Sequence, residues 1–78
     1  MRTQRLELGR DVIMTDERGD RVRLEGRVRL APGQHIDIAG PSPRGGVADV
    51  RSAVVLSWSV ARLSETGTQY QGVCRIER

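Results

Sequence analysis

The sequence predicts an all-β fold, namely a small antiparallel β-barrel of about six strands. Three observations support this fold class. First, 78 residues are enough for a single small domain with an economical core. Second, apolar and polar residues alternate along several short segments, which is the period of a half-buried strand. Third, glycine and proline turns separate these segments at close spacing.

The first strands precede a tight turn. Residues 6–14 alternate around Gly9, where a bend or bulge divides them into one strand or two. Residues 1–10 therefore form an N-terminal arm and the first strand. Residues 16–20 have the composition of a hairpin turn, in which Gly19 supplies a positive φ.

The clearest predicted strand is residues 21–30, where charged residues occupy every odd position and apolar residues or glycine every even one. A proline-glycine turn at residues 31–34 then precedes a short strand around Ile36 and Ile38. Residues 40–46 contain three glycines and two prolines, which neither a helix nor a central strand tolerates. We expect an exposed loop there.

The second half of the chain begins with its most apolar segment, residues 50–60. Several even positions of this segment are apolar: Val50, Val54, Leu56, Trp58 and Val60. A helix would also place Val50, Val54, Trp58 and Ala61 on one face, but the β-branched content favours a strand. Residues 64–67 form the next turn, and residues 69–77 end the domain as a strand.

The charge of the chain raises the question of an anionic partner. The formal net charge is +3, and all 13 basic residues are arginine. A guanidinium group can bind a phosphate through two parallel hydrogen bonds, which favours a phosphate-bearing ligand. A GC-rich genome also replaces lysine by arginine, and a charge of +3 is small for a nucleic-acid-binding protein. Both explanations of the arginine content stay open.

The cysteine and histidine content excludes two kinds of site within one chain. Cys74 is the single cysteine, so no internal disulfide forms, and together with the single His35 it falls short of a zinc site. The longest apolar run, residues 53–56, is far below the roughly 20 residues that cross a bilayer. We expect a soluble, cytoplasmic protein without a membrane span or a cofactor.

The order of motifs from Leu30 onward resembles a known family. Residues 30–34 read Leu-Ala-Pro-Gly-Gln, residues 53–58 read Ala-Val-Val-Leu-Ser-Trp, and residues 70–73 read Tyr-Gln-Gly-Val. This order is similar to the second half of a PilZ domain, a bacterial six-stranded β-barrel. Many PilZ domains bind the second messenger cyclic-di-GMP. The resemblance therefore implies a PilZ-like barrel with a signalling role and cyclic-di-GMP as its ligand.

The resemblance also implies where a dinucleotide would bind. Ligand-binding PilZ domains use an RxxxR segment and a D/N-x-S-x-x-G segment. Here Arg2 and Arg5 of the N-terminal arm are the candidate contacts, spaced RxxR, with Arg10 as a third. Residues 23–27 read RxxxR but lie inside a predicted strand, and no D/N-x-S-x-x-G segment occurs between residues 14 and 30. A ligand-free, protein-binding version of the domain is therefore the second form of this hypothesis.

A nucleic-acid-binding barrel is the alternative. Four arginines would stand in a row on one face of the predicted strand: Arg21, Arg23, Arg27 and Arg29. Such a row binds a phosphate backbone, unless acidic residues of neighbouring strands pair with it. Single-strand binders also present exposed aromatic side chains, whereas Trp58 and Tyr70 share the apolar side of their strands and are expected in the core.

No enzyme active site can be assembled from these residues. Cys74 has the neighbours of a small core residue, and His35 is expected at the surface or in a structural pair. Residues 40–46 lack the lysine and the following helix of a phosphate loop, which leaves Arg44 as an optional contact. We expect a non-enzymatic module whose edge strands permit a homodimer.

Overall fold

The computed structural model describes residues 3–41 and 48–77, which form six strands and no helix. The strands are β1 (Gln4–Glu7), β2 (Val12–Arg18), β3 (Arg21–Gly26), β4 (His35–Pro41), β5 (Ala48–Ser64) and β6 (Gly67–Ile76). The all-β prediction is confirmed. None of these described residues forms a helix long and apolar enough to cross a membrane.

All six strands belong to one sheet, in the order β1-β4-β5-β6-β3-β2. Four of the pairings are antiparallel, but β1 runs parallel to β4. The predicted antiparallel barrel therefore needs correction to an open, mixed sheet. Within the described residues, only an isolated bridge between Leu8 and Val12 links the ends of β1 and β2. β1 has only four residues, and the chain turns at Gly9 just after it. This strand is too short to form the row of hydrogen bonds with β2 that would close the sheet into a barrel.

The sheet curls around a single core. Leu6 of β1 and Val12 of β2 lie on the two end strands, yet both are buried in the same apolar cluster. In a flat sheet of six strands the end strands would lie about 24 Å apart, too far to share a core. Bulges in β2 and β5, where the strand register shifts, provide the bends. The other fully enclosed members of the cluster are Val22, Leu24, Ile36, Ile38, Ala53, Val55 and Cys74.

Two predicted turns are confirmed, and two predicted boundaries are wrong. Gly19 and Gly33 have φ of +61° and +87°, as the hairpin and the proline-glycine turn require. The strand predicted at residues 21–30 ends at Gly26, and beyond its end the backbone carbonyl of Val28 accepts a hydrogen bond from the Trp58 indole. Gly40 lies in β4 and is buried, so the exposed loop cannot begin there.

The β5–β6 hairpin extends beyond the rest of the sheet. Residues 57–64 of β5 pair with β6 alone, because β4 begins at His35, opposite Val54. Leu63, near the tip of the hairpin, is 75% exposed. Residues 42–46 of the predicted loop, with Arg44, lie outside the described residues.

Candidate functional site

The outer face of the sheet is the side opposite the core, and β3 presents arginine on it. Val22 and Leu24 are fully buried, while Arg21 and Arg23 are exposed. This is the alternation that the sequence predicts for this strand. Arg21 and Arg23 therefore stand about 7 Å apart along the outer face.

Two further arginines lie opposite Arg21. In the antiparallel ladders, Arg21 faces Arg18 on β2 and Arg75 on β6. Opposed residues of an antiparallel pair place their side chains on the same face, with Cβ atoms about 4.5–5.5 Å apart. Arg18, Arg21 and Arg75 thus form a line across three neighbouring strands, which we call the arginine row. The row is about 10 Å wide.

The carboxylates near the arginine row offset only part of its charge. Arg18 Nε lies 3.3 Å from Asp16 Oδ2, and Asp16 faces Arg23 in the register of β2 and β3. Over residues 3–41 and 48–77, no salt bridge shorter than 4.0 Å involves Arg21, Arg23 or Arg75. Like charges directly opposite each other destabilise a sheet, and a bound anion would remove that cost.

A shallow depression of about 300 Å³ lies over this face. It is lined by Asp16, Arg18, Arg21, Arg23, Val22 and Val73. Pockets that enclose a small-molecule ligand measure about 300–1,000 Å³, so this one is at the lower limit. The shape suits phosphate groups that lie on the surface better than a nucleotide that is enclosed.

Arg5 of the predicted dinucleotide site is exposed, and acidic residues surround it. Its Nε donates to Glu7 Oε1 at 3.1 Å, and Arg5 faces Asp37 in the register of β1 and β4. Asp37 also accepts a hydrogen bond from Ser52 Oγ at 3.0 Å. Arg2 lies outside the described residues. The surroundings of Arg5 are therefore close to neutral, unlike those of Arg21.

Arg10 lies in the turn between β1 and β2, beside Arg27. Both line a second depression of about 220 Å³, together with Asp11, Glu25 and Gln69 among others. The residues that line this depression do not include Arg5. The structure thus brings Arg10 together with one arginine of the alternative site and not into a common pocket with Arg5.

The four-arginine strand face that the sequence predicts is only half formed. Arg27 and Arg29 are exposed, but they follow the end of β3 and do not continue its outer face. Arg18 and Arg75 take their place in the arginine row, and the sequence interpretation missed both. The two-residue turn after β2 could have indicated Arg18, whereas Arg75 joins the row only through the long-range pairing of β3 with β6.

The two aromatic residues are half-buried rather than displayed. Trp58 packs against the core and donates from Nε1 to the carbonyl of Val28 at 3.1 Å. Tyr70 lies opposite Val60 in the β5–β6 ladder and is likewise half-buried. Neither aromatic ring is an exposed platform for stacking on a base.

Cys74 lies in the core, and His35 lies at the surface beside a carboxylate. Cys74 is fully buried, which confirms its predicted place in the core, and burial raises the pKa of its thiol to about 11. His35 is exposed and places Nδ1 3.2 Å from Glu77 Oε1. Over the described ranges, no group of three or more histidine, cysteine or acidic side chains is arranged to hold a metal ion.

Comparison of the chain with family models, with curated proteins and with solved structures finds no match.

Proposed function

We propose that this chain is a non-enzymatic regulatory binding module resembling PilZ domains, with cyclic-di-GMP as the ligand that the resemblance implies. The contact between Trp58 and Gly72 supports this proposal most directly. These residues face each other on β5 and β6. A Cβ on Gly72 would overlap the Ser57 carbonyl and lie 2.5 Å from Trp58 Cε3. The Ser57 carbonyl and the Trp58 ring thus require glycine at position 72, and this pair carries part of the resemblance.

The proline-glycine turn is joined to the same strand. Gly33 N donates to the Val55 carbonyl at 2.7 Å, and Val55 N donates to the Gln34 carbonyl at 2.9 Å. The three motifs of the resemblance therefore meet in one part of the sheet. We propose that the curled sheet, which is open between β1 and β2, is a PilZ-like fold.

The proposed ligand contacts are Arg2, Arg5 and Arg10, of which Arg5 lies on β1 and Arg10 in the turn that follows this strand. Only the Nε donor of Arg5 contacts Glu7, so its four Nη hydrogens can bind a phosphate or a guanine edge. Gln34 Nε2 donates to Gln4 Oε1 at 3.1 Å and holds the start of β1 against the proline-glycine turn. The ligand would lie across this surface, because the nearby depression is too small to enclose it.

The test is an amide-resolved NMR titration of the complete chain with cyclic-di-GMP, with GMP as the control nucleotide. We expect saturable shifts in residues 2–10 that are specific to the cyclic dinucleotide. The double variant R2A/R5A should abolish these shifts without unfolding the sheet. The control variant R62A, on the exposed part of β5, should leave them unchanged.

Two outcomes would change the proposal. Binding that survives R2A/R5A would show that the residue assignment is wrong. No binding to the unmodified chain would remove the dinucleotide from the proposal and leave the protein-binding form of the module.

A further inference from the structure

In the arginine row, Arg18, Arg21 and Arg75 lie directly opposite one another on three neighbouring strands, which is not the arrangement of a surface stabilised by salt bridges. A neutral solvated face alternates arginine with acidic residues across neighbouring strands, as Arg5 and Asp37 do on β1 and β4. The arginine row instead places like charges in register on β2, β3 and β6. Arg23 adds a fourth guanidinium on the same face.

We propose that the arginine row and Arg23 form an anion-binding surface for the phosphodiester backbone of duplex nucleic acid. This site shares no residue with the proposed cyclic-di-GMP contacts and does not depend on them. It also differs from the four-arginine strand face, because it uses Arg18 and Arg75 in place of Arg27 and Arg29.

The dimensions of the surface favour a polyanion over a single phosphate. The four arginines cover an area about 10 Å across the strands and about 7 Å along them. A single phosphate group contacts one or two guanidinium groups, and Asp16 offsets only part of the charge of Arg18 and Arg23, so at least one arginine would stay uncompensated. Several phosphates held at regular spacing, as on a nucleic acid, can contact all four arginines together.

The position of the aromatic residues favours a duplex over a single strand. Single-strand binding depends on bases stacking on exposed aromatic rings. Trp58 is half-buried against the core, faces Gly72, and donates a hydrogen bond from its indole nitrogen to the Val28 carbonyl. A duplex presents its phosphates outward and needs no stacking platform, which matches a face that carries guanidinium groups without aromatic rings.

The acidic residues of this region limit the number of phosphates bound. Asp16 is paired with Arg18, and Asp20 lies in the turn between β2 and β3. These carboxylates repel a phosphate backbone on the hairpin side. We therefore expect three or four phosphate contacts and weak binding at physiological salt.

The test measures binding of the complete chain to a fluorescent random-sequence duplex by anisotropy, from 50 to 300 mM KCl. Neutralising three or four phosphates gives a slope of log Kd against log salt of about 2.7 to 3.6. The variant R21T/R75T removes two of the proposed contacts and should lower this slope by about 1.8. The control variant R29T/R62T removes the same charge from exposed residues outside the row and should change the slope by much less.

Three outcomes would overturn the proposal. The first is the absence of saturable duplex binding at 50 mM KCl. The second is an equal loss of slope in R21T/R75T and R29T/R62T, which would indicate an effect of net charge alone. The third is binding of an acidic peptide, but not of the duplex, to the same residues. The folding of R21T/R75T is checked by its free energy of unfolding. Because the variant removes like-charge contacts, this free energy should be no lower than that of the unmodified chain.

Discussion

Arg51 of β5 forms a salt bridge with Glu17 of β2, with Arg51 Nη1 3.6 Å from Glu17 Oε1. These strands are not neighbours, since β6 and β3 lie between them in the sheet. Arg51 faces the buried Ile38 and Glu17 faces the buried Val22, so both side chains emerge on the core side. The salt bridge therefore spans the concave side of the curled sheet.

A double-mutant cycle with E17Q and R51Q tests this contact. Both side chains are partly exposed, so we expect a coupling of about 0.2–1 kcal/mol in the free energy of unfolding. The coupling should fall as salt rises from 20 to 500 mM, because screening weakens partly exposed ion pairs. Urea denaturation measures it. A coupling of zero at low salt would contradict a stabilising salt bridge between Glu17 and Arg51.

The variant Gly72→Ala tests the contact between β5 and β6. The added methyl group would overlap the Ser57 carbonyl and approach the Trp58 ring, so the strands must separate locally. Overpacking of this kind costs about 1–3 kcal/mol in the free energy of unfolding. The control is Gly33→Asn, where the space is open and asparagine tolerates the positive φ, so the loss should be smaller. Equal losses would contradict the close packing of Trp58 on Gly72.

Local patterns predict the parts of this fold that depend on neighbouring residues. The alternation along β3 predicts that Val22 and Leu24 are buried, and the turn chemistry predicts positive φ at Gly19 and Gly33. The end of β3 could not be predicted in this way. The residues after Gly26 continue the alternation, but the indole of Trp58 binds the Val28 carbonyl from a distant strand.

The residues of the candidate site also fall into two groups, those that local sequence patterns predict and those that depend on long-range strand pairing. Arg21 and Arg23 can be placed on an outer face from alternation alone, and the short turn at Gly19 brings Arg18 beside Arg21. Arg75 cannot be predicted, because its place depends on which strand pairs with β3. The parallel pairing of β1 with β4 cannot be predicted from the sequence for the same reason, because short-range patterns carry no information on strand order.

The variant Arg21→Thr tests the like-charge contacts of the arginine row. It removes the central charge between Arg18 and Arg75, and threonine fits a strand well. We expect the free energy of unfolding to rise by about 0.2–1 kcal/mol at low salt in the absence of ligand. The gain should shrink at 500 mM salt, where the repulsion is already screened.

The matched control for this prediction is Arg62→Thr. Arg62 is exposed and faces the uncharged Gln69, so the same substitution relieves no cross-strand repulsion there. Urea denaturation of both variants at two salt concentrations separates the effect of the row from that of net charge and strand propensity. A gain of the same size in both variants would contradict the unfavourable pairing of Arg21.

The buried thiol of Cys74 predicts how stability depends on pH. Burial raises the pKa of this thiol from 9.0 to about 11, so the folded chain retains a proton that the unfolded chain loses in this interval. The contribution of the thiol to stability is therefore constant below pH 9 and falls as the pH rises toward 11, by at most about 1.4 kcal/mol per pH unit. Urea denaturation of the unmodified chain and of Cys74→Ala across this range isolates the effect, because the other titrating groups cancel in the difference. A difference that stays flat between pH 9 and 11 would show that the thiol reaches solvent in the folded chain.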